Sequence, residues 1–257
     1  MESIAELMVL AVPAPQPKSA FAAECGWMAH RLEDFESSRA NAGTDMERVA
    51  LLDSPIGYVT ISYLEGTSGY RDVAKTIRTT PTIFDQDMMT RGKVLHGMSE
   101  DQQRELRAPL ETAVGYREVG TPRGPWHAFV APVAADMTER WQRFCDERRG
   151  PRQGEFEAFL VKNGFNAFRE GLYRNPRGQL ACVYVEGSAD VDALPRAVRA
   201  GGPFEEWFAA EFSAIHGADL RQKLMWPLVG KTWDWVKGEK NENVAPLFSL
   251  ATHLLGE

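Results

Sequence analysis

The chain has 257 residues, 44% hydrophobic and 25% charged, a globular composition long enough for one large domain or two small ones. A formal charge of −7 and a pI of about 5.4 leave no basic footprint for neutralising phosphates, which excludes nucleic acid as an expected partner. Cys25, Cys145 and Cys182 form no CxxC and no Cys/His ladder, so neither a disulfide framework nor a structural zinc site is expected, and a reducing, cytoplasmic setting fits.

The first predicted element is a strand over Leu7 to Val12. That run is too short for a signal or a membrane span, and Glu2 and Glu6 stand where a basic leader would need cations, so no membrane association is expected. A long helix follows over Lys18 to Asn41, ending at Gly43, a residue suited to a left-handed cap. Two alternating runs joined by S-P-I-G, Ser54 to Gly57, predict a hairpin, because proline presets the first dihedral of the turn. A weak helical stretch comes next, then a second helix whose spaced positions are Phe84, Asp87, Met88, Gly92 and Leu95, closing at His96-Gly97. Pro109-Leu110 introduces a β-leaning run from Thr112 to Val119.

The same series then recurs. Ala128 to Val133 predicts a strand, and Met137 to Asn163 a helix broken at Pro151. N-P-R-G, Asn175 to Gly178, marks a second hairpin. Phe204, Trp207, Phe208, Phe212 and Ile215 form a buried helical stripe that closes at His216-Gly217, and Val229 to Val236 forms a last strand. A shift of 121 residues superimposes the copies without a gap from D-F-E at Asp34 and E-F-E at Glu155 to Y-L-E-G at Tyr63 and Y-V-E-G at Tyr184. Gly43, Arg48, Leu51, Pro55 and Gly57 fall on Gly164, Arg169, Leu172, Pro176 and Gly178, so one structural unit is duplicated and fused.

Each unit reads as β-α-β-β-α-β, an α+β ferredoxin-like repeat with helices on one face of an antiparallel sheet. The expected domains are residues 1–121 and 122–238. An amphipathic helical tail at 239–257 carries Val244, Leu247, Phe248, Leu250, Leu254 and Leu255 and packs on the body or takes a partner. Two such sheets can cover each other as a barrel-like core, giving a monomer that is a pseudo-dimer, or a homodimer of the fused chain.

These residues resemble the dimeric α/β barrel superfamily, and within it small uncharacterised bacterial proteins of a single repeat. The second copy carries most of the resemblance, in G-P-R from Gly150, E-F-E from Glu155, Y-V-E-G from Tyr184 and the stretch from Pro203 to Leu220. The resemblance implies an intramolecular barrel of two repeats. It does not select a reaction, because the superfamily spans cofactor-free oxygenases, polyketide cyclases, isomerases, haem enzymes and proteins without known activity.

Counting outward from the hairpin turns places Arg48 opposite Tyr63 and Arg169 opposite Tyr184, with Glu65 and Glu186 two residues on along the same face. Arginine can orient a substrate oxyanion while tyrosine or glutamate moves a proton. The same trio can equally be a cross-strand salt bridge with a tyrosine packed over it. His96 and His216 end matching helices, where a histidine caps free carbonyls, carries protons or ligates haem. His30 has no twin in the second copy, and His127 and His253 read as structural or solvated. Trp233 and Trp235 share one face of the last strand and either line a pocket for a flat ligand or fill core.

No HExxH or HxH cluster points to a protein metal site, and no GxGxxG, GxxxxGK[ST] or GxSxG points to nucleotide binding or nucleophilic catalysis. The expectation is a small-molecule enzyme of the cyclase, dehydratase, isomerase or cofactor-free monooxygenase kind, acting on a polyketide-like or aromatic substrate. His216 or His96, Tyr184 or Tyr63, and Glu186 or Glu65 are the proton carriers; Arg169 or Arg48, with Trp233 and Trp235, bind substrate. No cofactor is expected. The alternatives are a haem enzyme with His216 as proximal ligand and a non-catalytic ligand-binding or stress-related protein. One working site is expected rather than two.

Overall fold

The computed structural model describes residues 4–11, 17–96, 107–118, 123–187, 192–222 and 228–239. Its strands are β1 (Ile4–Ala11), β2 (Thr44–Ser54), β3 (Gly57–Gly66), β4 (Arg107–Leu110), β5 (Val114–Arg117), β6 (Trp126–Val133), β7 (Phe165–Asn175), β8 (Gly178–Gly187) and β9 (Leu228–Val236). The helices of the first half are α1 (Pro17–His30), α2 (Leu32–Asn41), α3 (Tyr70–Thr79) and α4 (Ile83–His96). Those of the second are α5 (Thr138–Arg149), α6 (Gln153–Lys162), α7 (Ala193–Arg199) and α8 (Pro203–His216). The fold is α+β, and the tail at 240–257 lies outside the described residues.

The first long helix is two helices, parted at Arg31, whose backbone leaves helical angles. No proline or glycine announces that break, whereas Gly150 and Pro151 mark the one between α5 and α6. One close approach is made in both halves of the chain. A Cβ on Gly66 would lie 2.1 Å from the carbonyl oxygen of Gly43, and one on Gly187 would lie 2.0 Å from that of Gly164. Only glycine permits the strand end to pass so near the loop after the helix.

Two compact units result. One draws its described residues from Met1–Asp53, Gly57–Leu110 and Leu228–Glu257, the other from Ser54–Ile56 and Glu111–Pro227. The first unit has a five-stranded sheet in the order β4-β1-β3-β2-β9, whose first four strands follow the ferredoxin-like order. The second has four strands in the order β5-β7-β8-β6.

These units differ from sequence domains cut at residue 121. The run expected as the last strand of repeat one is β5, and it pairs antiparallel with β7 of repeat two. The last strand of repeat two is β9, and it pairs with β2 of repeat one. Each hairpin would otherwise leave a row of backbone donors and acceptors at its outer edge. The exchanged strand covers that edge from Ala167 to Glu170 in one unit and from Met46 to Leu52 in the other.

The helix side of the second unit is an aromatic core that includes Phe144, Phe156, Phe168, Phe208 and Phe212. It encloses an ion pair. The Arg148 guanidinium donates to Glu170 at 2.6 Å, with side chains 1% and 4% exposed, and lies over the Phe144 ring at 3.9 Å. Trp141 Nε1 donates to the other Glu170 oxygen at 2.9 Å. Burial opposes the Arg148 charge, but Glu170 outweighs it and holds the guanidinium protonated. Burial also pushes the Cys145 thiol up, with Glu170 adding to the effect, so this cysteine stays a thiol.

Candidate active site

In the second unit the hairpin register is as the sequence implies, with Asn175 paired to Gly178 and Arg169 to Tyr184. Extending the pairing across all four strands gives two rungs. One runs Arg117, Ala167, Glu186, Trp126, and the next runs Gly115, Arg169, Tyr184, Ala128. Side chains on these rungs share one sheet face, and Phe168, Val183 and Val185, which alternate with them, belong to the helix-side core. Tyr184 and the buried Glu170 cluster therefore stand on opposite faces.

Large and small residues alternate along the rungs. Ala167 leaves room for Arg117 to reach across it to Glu186 Oε2 at 3.2 Å. Ala128 leaves room for the Trp126 ring to stack on Tyr184, with centroids 5.9 Å apart and planes inclined by 28°. The Tyr184 hydroxyl donates to Glu186 Oε2 at 2.8 Å, and the Gly124 backbone N–H donates to Oε1 at 3.1 Å. Glu186 is fully enclosed, whereas Arg117 remains 27% exposed and links the pair to solvent.

Arg169 is different. Its Nη1 makes a long 3.4 Å bond to the Thr112 hydroxyl, and among the described residues it has no carboxylate partner. It faces Gly115 on the outermost strand, which has no side chain to cover it.

The first unit keeps the trio and changes its surroundings. Tyr63 donates to Glu65 at 3.0 Å, and Arg48 pairs with Asp234 at 2.9 Å. The 121-residue shift puts Met46 where Ala167 stands and Leu7 where Ala128 stands, and both are buried. Ala5 replaces Trp126. On the exchanged strand Val236 pairs with Met46, as Arg117 does with Ala167, and Asp234 pairs with Arg48, as Gly115 does with Arg169. Two guanidiniums and one carboxylate thus become one guanidinium and two carboxylates, among bulkier apolar neighbours.

The remaining sequence candidates lie apart from these rungs. Trp233 and Trp235 share one face of β9, opposite to Asp234, and pack edge-on against Phe35 at 4.9 and 5.2 Å. That places them in a core with Phe84 rather than beside Arg48. Trp235 Nε1 donates to Glu36 at 3.1 Å. His96 is the last residue of α4, and its side chain lies outside the described set, as does His253.

His216 ends α8 before Gly217, which adopts a left-handed φ of 65°. The ring is 7% exposed on the helix side, where its Nδ1–H donates to the Pro132 carbonyl at 2.8 Å and its face meets Phe212 at 4.4 Å. It fastens the helix end to β6 and does not meet Tyr184. A haem on His216 would need an open apolar slot beside the ring. The packed core of Phe208, Phe212 and Ile215 does not fit one.

Burial depresses the His216 pKa more than the Pro132 carbonyl and Glu170 raise it. Its contribution to stability is therefore present above the ordinary value of 6.5 and is lost as pH falls through the lower folded value. His216→Ala is expected to cost about 1–3 kcal/mol at pH 8, from the lost buried hydrogen bond. Urea titrations of both proteins should show that difference shrinking below pH 6.5; a difference that grows on acidification would contradict the assignment.

Among the described residues no group of His, Cys, Asp and Glu is placed to hold a metal ion, and no helix is long and apolar enough to cross a membrane. Arg117, Trp126, Asp234 and Gly115 are among the residues of these two faces that the sequence did not single out. Their signal was available only through strand pairing, since each occurs in one copy alone.

No protein-family model matches the chain, and no curated protein matches it. Solved structures do. A candidate monooxygenase of Lactobacillus acidophilus NCFM aligns over 85% of this chain and 90% of its own, with 11% identity and a TM-score of 0.43. Another candidate monooxygenase, from Fusobacterium nucleatum subsp. nucleatum ATCC 25586, aligns over 91% and 98%, with 14% identity and a TM-score of 0.47. An anthrone oxidase-like protein aligns over 85% and 88%, with 16% identity and a TM-score of 0.41.

Proposed function

We propose that the face of the second unit bearing Tyr184, Glu186, Arg117 and Arg169 is the working site of an enzyme that enolises a small oxygenated substrate of aromatic or polyketide-like character. The observation that carries the reading is a tyrosine–glutamate pair sharing one hydrogen bond of 2.8 Å beside an arginine that has no carboxylate partner among the described residues. A substrate carbonyl takes the proton of the Tyr184 hydroxyl while the neighbouring carbon gives its proton to Glu186. Proton transfer from Glu186 back to the tyrosinate then restores both groups, and the net change is one proton moved from carbon to oxygen.

Arg169 anchors the oxygen-bearing end of the substrate, and Arg117 orients Glu186 and connects it to solvent. Trp126, buried and stacked on Tyr184, backs the tyrosine with an apolar ring and keeps the surroundings of its hydroxyl dry. Enolisation is the step shared by ring closure, double-bond isomerisation and cofactor-free oxygenation, so the chemistry is common to the reactions that the sequence resemblance implies. No step requires His216.

The test follows deuterium entering acidic C–H positions of a panel of aryl and polyketide-like β-ketones in D2O by proton NMR. Wild-type protein is expected to catalyse the exchange, and Tyr184→Phe to slow it by roughly 10²–10⁴-fold, the usual worth of a positioned acid or base. Exchange that Tyr184→Phe leaves within a few-fold of wild type would remove Tyr184 from the reaction.

A further inference from the structure

We infer that Asp234 occupies, in the first unit, the place that a substrate carboxylate takes in the second, and that Gly115 is the residue that keeps this place open. The inference rests on the reading of the Arg169 face as the working site and names the substrate class it accepts, a carboxylate borne on a flat apolar body.

Arg48 and Arg169 are equivalent residues of the repeat, each paired with one residue of the exchanged edge strand. In the first unit that residue is Asp234, whose Oδ1 accepts from Arg48 Nε at 2.9 Å. In the second it is Gly115, and no carboxylate of the described residues reaches Arg169. The repeat therefore displays the same guanidinium twice, once with an internal acid upon it and once without.

Space and charge at Gly115 agree with this. A Cβ built there would lie 3.3 Å from Arg169 Nη1 and 3.3 Å from the Thr112 methyl, so any side chain would crowd the guanidinium. Gly115 is exposed on the outermost strand of the sheet, so a ligand reaches Arg169 from that edge. A guanidinium presents its donors as a planar fork that matches a carboxylate, and the Thr112 hydroxyl beside it supplies one more polar group. Trp126 and Tyr184, buried and stacked on the same face, make the interior beside the charge aromatic, so an apolar body carried on the carboxylate can enter there without stranding a polar group. A neutral ligand would leave the fork without its complement, which is how such a site rejects it.

Calorimetric titration with benzoate, and with benzamide as its neutral isostere, tests the inference on the full chain. Wild-type protein should bind benzoate at one site, at least about tenfold more tightly than benzamide, the ratio expected when a charge-assisted pair is lost. Gly115→Asp should abolish benzoate binding, because the new acid takes up Arg169 as Asp234 takes up Arg48. Gly115→Asn, which crowds the same space without the charge, should weaken it clearly less than Gly115→Asp does, and Arg169→Gln should abolish it in a protein that keeps the wild-type melting curve.

Equal binding of benzoate and benzamide, no benzoate binding, or equal losses in the Asp and Asn variants would overturn the inference. Its failure is separable from that of the enolisation reading. Deuterium exchange into neutral ketones that depends on Tyr184 would survive a failed benzoate titration, and benzoate binding that depends on Arg169 would survive a failed exchange assay.

Discussion

Arg148→Met is expected to cost about 3–5 kcal/mol of folding stability. Removal of the guanidinium leaves the Glu170 carboxylate inside a core of phenylalanines with the Trp141 N–H and the weak Cys145 thiol donor, both on one oxygen, and no cation to balance it. The cost comes from the stranded charge and not from the attraction lost, since desolvation consumes much of what an enclosed pair gains. Arg148→Met combined with Glu170→Leu should therefore be considerably more stable than Arg148→Met alone. Guanidinium chloride denaturation of the single and double variants checks this. A double variant no more stable than the single would mean that Arg148 acts through its contact with the Phe144 ring instead.

Trp235→Ala is expected to be nearly as severe, at about 3–5 kcal/mol, the range for emptying a buried tryptophan site. The indole is 1% exposed, meets the Phe35 ring edge-on and donates to Glu36. It also sits on β9, the strand that closes the outer edge of β2. The loss should thus loosen a pairing between strands far apart in the chain, where Arg48 meets Asp234 186 positions further on. Amide exchange along β2 reads the consequence directly. Protection at Glu47 and Val49 is expected to fall together with global stability, and unchanged protection there would show that β9 contributes little to holding the edge.

The sequence disclosed what depends on neighbours in the chain. Both hairpins, the Arg169–Tyr184 register and the helix ends at His96 and His216 all follow from local spacing, turn chemistry and strand alternation. It did not disclose which edge the last strand of each repeat would join. β5 and β9 are β-leaning runs whose own residues do not select a partner, and the edges of β7 and β2 are where they pair. That choice governs the site, because it brings Gly115 and Arg117 to one face and Asp234 and Val236 to its counterpart.

The same limit applies to Trp233 and Trp235. Alternation put them on one face of a strand, but only packing against Phe35 and Phe84 shows that the face is core. Arg148 and Glu170 likewise come together because a helix lies over a strand, a relation that no spacing within either element encodes. The histidines illustrate the converse. Their repeated position reflects helix ends, and at His216 the ring is engaged by Pro132 rather than held ready for a proton.

The central claim is that one of two equivalent tyrosines works and the other does not. Both lie buried, each donating to a glutamate two residues on, at 2.8 Å for Tyr184 and 3.0 Å for Tyr63. The decisive measurement is the rate of deuterium exchange into a turned-over ketone by Tyr184→Phe and Tyr63→Phe, prepared side by side. The account predicts a loss of about 10²-fold or more for Tyr184→Phe and a rate within a few-fold of wild type for Tyr63→Phe. Equal losses in the two variants, or a loss confined to Tyr63→Phe, would contradict it.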